Sequence, residues 1–71
     1  MTEIKIRENE EFIKLGQALK KAGLVDSGVD AKMAILDGLA SVDGQVVTQR
    51  GKKLHGGEIV SFQGETIKII R

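Results

Sequence analysis

The chain opens with strict alternation. Residues 2–7, TEIKIR, put Ile4 and Ile6 on one face and polar groups on the other, the pattern of a half-buried β-strand. Beyond Arg7 the period lengthens. Phe12, Leu15 and Leu19 recur at i, i+3 and i+7, which draws one apolar stripe along a helix. Asn9 is placed to cap that helix, and Glu10 and Glu11 suit its electropositive first turn. Gly23 predicts its end, and Lys20 and Lys21 fall in the last turn, where cations are favoured.

Ser27 opens a second helix. With Asp30 it resembles a capping box in which Asp replaces Glu. Ala31, Ala34 and Ile35 face one way, while Val29, Met33 and Leu36 widen the apolar surface. Only Asp30, Lys32 and Asp37 interrupt it, so this helix is expected to be buried on more than one side. Gly38 ends it. The remainder of the chain reads as strands. LASV, residues 39–42, and QVVT, residues 45–48, flank Asp43-Gly44, a strong signal for a two-residue hairpin. EIVSF, residues 58–62, turns at Gln63-Gly64 into ETIKII, residues 65–70. Ile59 and Phe62 are out of phase, so periodicity leaves open which face each strand buries. The order is strand, two helices, then four strands: an α+β domain. Its two N-terminal helices are expected to pack on a small, mostly antiparallel sheet. No linker, repeat or low-complexity segment divides residues 1–71, which read as one domain.

Composition narrows the chemistry by what is missing. Cysteine is absent, which excludes disulfides, thiolate zinc sites and thiol nucleophiles. The charged N-terminus has no apolar leader, and no apolar run approaches the ~20 residues of a membrane span. A cytoplasmic protein without membrane association is therefore expected. One histidine cannot build a multi-histidine metal site. Two phenylalanines, without tyrosine or tryptophan, argue against an aromatic platform for single-stranded bases.

Charge changes the picture more. The formal net charge is +1, from 11 Lys+Arg and 10 Asp+Glu, yet its distribution is uneven. Residues 49–57, QRGKKLHGG, carry Arg50, Lys52, Lys53 and His55 and no acid, while Glu3, Glu8, Glu10 and Glu11 crowd the first eleven residues. A local positive field attracts phosphates and releases their counterions. Taken alone, such a run is ordinary solvated surface. Lys32 interrupts an apolar helix face, where most lysines lay a packed stem and reach for water. Lys20 and Lys21 are explained by the helix dipole, and His55 by an ordinary surface position. The backbone N–H groups from Gly28 onward could bind a phosphate, but Asp26 beside them opposes it.

Nothing marks an enzyme. Gly51-Lys52-Lys53 lacks the earlier Gly and the following Ser or Thr of a nucleotide-cradling loop. A single His completes no nucleophile–base–acid set, and the carboxylates show no acid–base pairing. No catalytic residue, metal, cofactor or small-molecule substrate is expected.

The order of features carries a resemblance. LGQALKKAGLVDSG leads into SGVDAKMAILDG, then the hairpin ASVDGQVV, the basic TQRGKKLHGGE and the strand IVSF. Over residues 12–62 this resembles the RNA-binding domain family named after the fourth small-subunit ribosomal protein, in particular its small stand-alone bacterial members. Its usual pattern matches at Ser27, Ala31, Gly38, the run Ala40-Ser41-Val42-Asp43-Gly44, and Gly57-Glu58-Ile59. The resemblance implies an αL RNA-binding motif, a helix pair joined to a small sheet. It implies a non-catalytic protein that binds structured RNA, ribosomal RNA foremost, with association with the ribosome or a subunit. Lys32, Arg50, Lys52 and Lys53 match its basic positions. Lys20 and Lys21 are expected edge contacts, and His55 is a further candidate RNA-binding residue. Many members carry Arg just before the helix-2 Ser, where this chain has Asp26; that shifts weight to Lys32 and residues 50–53. Few aromatics suit a protein that reads phosphates and RNA shape. The alternative is a protein-interaction or carrier module of ubiquitin-like, β-rich fold. Oligomeric state is not legible.

Overall fold

The computed structural model describes residues 1–71. Strand β1 (Thr2–Lys5) comes first, then β2 (Ile13–Lys14), α1 (Leu15–Lys21) and α2 (Gly28–Leu36). Five strands complete the chain: β3 (Ala40–Val42), β4 (Gln45–Val46), β5 (Lys53–Leu54), β6 (Ile59–Phe62) and β7 (Glu65–Ile70). One sheet has the order β1-β7-β6-β3-β4, and β2 and β5 form a separate two-stranded ribbon. Only β1–β7 is parallel; the other pairs are antiparallel. The architecture is α+β, as expected.

Both hairpins form where two residues can take positive φ. Asp43 and Gly44 have φ 51° and 87°, Gln63 and Gly64 48° and 84°. This is the mirror-image turn whose twist matches the flanking strands. The register is set accordingly, with Val42 opposite Gln45 and Phe62 opposite Glu65. Asp43 is fixed further: its N–H donates to the Ile59 carbonyl (2.8 Å), and its Oδ1 accepts from Ile59 N–H (2.9 Å).

The phase of the strands is resolved. Val60, Phe62, Ile67 and Ile69 turn inward with Ile4, Ala40 and Val42. Ile6 just beyond β1, Leu15, Ala18 and Leu19 of α1, Ile35 of α2, and Leu54 complete the core. Leu15, Leu19, Leu54 and Ile69 are wholly buried, and a leucine in such a place contributes about 2–5 kcal/mol.

Two expectations about the helices are corrected. α1 starts at Leu15, not after Asn9. Asn9 lies in a turn closed by Glu10 N–H on the Arg7 carbonyl, 3.0 Å. The reason is long-range: Ile13 and Lys14 are drawn into extended pairing with Leu54 and Lys53. Lys14 is the N-cap, and its N–H donates to Gln17 Oε1 (3.1 Å). Second, α2 is buried on one side only. It packs on α1, with Ala31 and Ile35 buried, while Val29, Met33 and Leu36 are 67%, 60% and 59% exposed. The end signals behave as expected. Ser27 Oγ accepts from Asp30 N–H (3.2 Å), the capping half of the expected box, without a return bond to the Asp30 carboxylate, and Gly23 and Gly38 take φ of 76° and 78° just past α1 and α2.

Candidate nucleic-acid interface

The basic stretch is folded against the start of α1. The first N–H groups of a helix have no partner within it. Here Leu15 N–H donates to the Lys52 carbonyl (2.9 Å) and Gly16 N–H to the Arg50 carbonyl (3.0 Å). Lys52 N–H closes a turn on the Gln49 carbonyl (3.2 Å). Gly16 packs directly against this turn. A β-carbon there would lie 3.5 Å from Arg50 Cβ, 3.6 Å from the Arg50 carbonyl oxygen and 3.7 Å from Ala31 Cβ. Arg50 and Ala31 thus meet across Gly16, and Lys32 is the exposed residue after Ala31. Arg50 of the 49–52 turn and Ala31 of α2 therefore come to the two sides of one glycine.

Lys53 continues the surface. It stands opposite Lys14 in the β2–β5 ribbon, and its Nζ lies 4.9 Å from the centroid of the Phe12 ring, a cation–π distance. The Phe12 and His55 ring centroids are 6.1 Å apart. Sequence reasoning missed Lys14, because a residue assigned to a helix carries no sign of a partner strand forty residues away. Phe12, read as core, is only half-buried. Lys20 and Lys21 lie at the other end of α1, and with Lys5 and Arg7 they line a groove.

Electrostatically the surface is open. The one ion pair in the molecule is Arg7–Glu10, at 3.9 Å, so Lys14, Lys32, Arg50, Lys52 and Lys53 all lack a paired carboxylate. The acid-free sequence is less acid-free in space. Asp43 and Glu58 line a cleft of about 350 Å³ together with Lys52, Lys53 and His55. Both carboxylates are engaged by backbone. Glu58 accepts from His55 N–H and Gly56 N–H, each at 2.7 Å. Burial pushes its carboxyl up, but the N–H groups of His55, Gly56 and Glu58 itself, with the His55 charge, outweigh this and hold it below its ordinary value. Arg71 braces the other side of the turn. Its guanidinium donates to the carbonyls of Glu11 (2.8 Å), His55 (3.1 Å) and Glu10 (3.4 Å). No cluster of three or more His, Cys, Asp or Glu residues is placed to hold a metal ion, and no helix is long and apolar enough to cross a membrane.

Comparison with known proteins identifies the family. The family model described as S4 domain matches residues 4–70. "Putative RNA-binding protein YbcJ" of Escherichia coli (strain K12) is 38% identical over 58 residues, 82% of this chain and 83% of that protein. "Probable ribosome maturation protein RlbA" of Bacillus subtilis (strain 168) is 37% identical over 54 residues, 76% of each chain. The solution structure of E. coli YbcJ, described as revealing an αL motif involved in RNA-binding, matches all of this chain and 89% of its own. The TM-score is 0.74 and the identity 32%. In sequence and in fold alike, the chain belongs to the S4 domain family.

Proposed function

We propose that the chain is a non-catalytic RNA-binding protein that grips the sugar–phosphate backbone of structured RNA, ribosomal RNA foremost. The gripping groups are Lys14, Lys32, Arg50, Lys52 and Lys53, with His55, Lys20 and Lys21 at the edges. The observation that carries this reading is the docking of the 50–52 carbonyls on the first N–H groups of α1. It fixes the backbone beneath Arg50 and Lys52, neither of which is tied up in an ion pair. A pre-set array of charges binds phosphate without first paying the ordering entropy of a loose loop. The RNA-binding and ribosome-maturation roles in the names of the relatives support the same reading, which carries with it a cytoplasmic place beside the ribosome. The ubiquitin-like alternative finds no support in the family match.

The test is binding of ribosomal RNA fragments as a function of salt, for wild type and for Lys52→Glu/Lys53→Glu. Each phosphate contact contributes roughly 0.7–0.9 to the slope of log affinity against log salt. The double variant should weaken binding across RNA sequences and flatten that slope by about 1–2. Equal binding by the two proteins at low salt refutes the assignment. Equal affinity for ribosomal fragments and unrelated duplexes refutes the ribosomal preference.

A further inference from the structure

Four other cations, away from the ribbon and the 49–52 turn, share one space. Lys5 and Arg7, at and just beyond the end of β1, and Lys20 and Lys21, in the last turn of α1, line one groove of about 420 Å³. Lys21 Nζ donates to the Lys5 carbonyl (3.1 Å), which ties the two walls together. The helix dipole accounts for Lys20 and Lys21. It does not account for Lys5 and Arg7, which arrive from a different element and add like charge to the same space. One carboxylate, Glu10, lies in the groove, 3.9 Å from Arg7, so the balance is strongly positive. Three lining residues belong to the basic ribbon or touch it, and Ile13 is part of β2 itself. Phe12 carries Lys53 over its ring, and Gln17 accepts from Lys14 N–H. The groove is therefore continuous with the ribbon.

We propose that the groove between β1 and α1 is a second seat for sugar–phosphate backbone. Resting on the RNA-binding reading above, the chain holds two backbone segments at once. One lies on the β2–β5 ribbon and the 49–52 turn, the other between Lys5–Arg7 and Lys20–Lys21. Phe12 and Gln17 form the divide between them. Such a two-seat surface selects RNA that presents two backbones side by side, as the strands of a helix or the arms of a junction do, over a single strand.

The test uses the full chain with Lys5→Glu/Arg7→Glu, and with the milder Lys5→Gln/Arg7→Gln should the reversal unfold the protein. Affinity is measured for a folded ribosomal RNA fragment and for a single strand of the same composition, with ribose footprinting of the folded one. The expected result is a loss of roughly tenfold on the folded RNA, little change on the single strand, and disappearance of one of two protected tracts. Lys52→Glu/Lys53→Glu should weaken both RNAs. Unchanged binding of the folded RNA by the groove variants, with binding still lost in Lys52→Glu/Lys53→Glu, overturns the second seat and leaves the proposed function standing. Absence of binding by wild type overturns both.

Discussion

Lys14 and Lys53 stand directly opposite one another across the β2–β5 ribbon. Like charges at one register position oppose folding by about 0.2–1 kcal/mol, and no carboxylate pairs with either. The arrangement makes sense if a polyanion relieves it. Lys14→Glu should therefore raise stability in urea by a few tenths of a kcal/mol while weakening RNA binding. A variant that gains stability and keeps wild-type affinity would remove Lys14 from the interface.

Gly16 lies where α1, Ala31 and Arg50 converge, and a single methyl there meets ordinary contacts of 3.5–3.7 Å. Gly16→Ala should be tolerated, and the lower entropy of the unfolded chain should stabilise the protein by about 0.5 kcal/mol. Gly16→Val has no such room. It should push the 49–52 turn off the helix, lowering both the melting temperature and RNA affinity. Amide exchange at Gly16 and Leu15, which donate to that turn, reports the displacement directly.

Glu58 gives the fold an acid-side limit. Its folded-state carboxyl lies below its ordinary value of 4.5. The stability it contributes is therefore complete above about that pH and is lost as pH falls through the lower folded value. Glu58→Gln should cost about 1 kcal/mol at pH 7. The gap from wild type should close as pH is lowered below 4.5. Urea unfolding of both proteins at a series of pH values checks it; a gap that stays constant assigns the loss to packing.

The outer side of α2 should accept polar residues. Met33 and Leu36 are more than half exposed, so Met33→Gln and Leu36→Gln should change stability by no more than about 0.5 kcal/mol. Ile35→Ala, in contrast, should cost about 2–5 kcal/mol. Thermal unfolding of the three variants separates an exposed stripe from a buried one.

What the sequence discloses depends on the range of the forces involved. Asp43-Gly44, Gln63-Gly64, Ser27 and Gly38 act within three or four residues, and each does in the structure what its local chemistry predicts. Ile13 and Lys14 could not be read, because their conformation is decided by Lys53 and Leu54. Apolar spacing suggested that Val29, Met33 and Leu36 would be covered. Spacing says which residues share a face, whereas only the packing of α2 on α1 decides which face is inside. The candidate site was legible at Arg50, Lys52 and Lys53 because they are adjacent in sequence. It was not legible at Lys14, nor in the way Lys5 and Arg7 join Lys20 and Lys21, since those groups meet only after β1 has found its place.

The parallel pairing of Thr2–Lys5 with Ile67–Ile70 joins segments more than sixty positions apart. Closing so large a ring is slow, since the search lengthens with contour and no intermediate contact rewards it. The two hairpins, by comparison, can zip up in microseconds. Docking of β1 is thus the natural late event in folding, and a nick in the turn at Glu8-Asn9 should let the first strand drift away from an otherwise intact remainder.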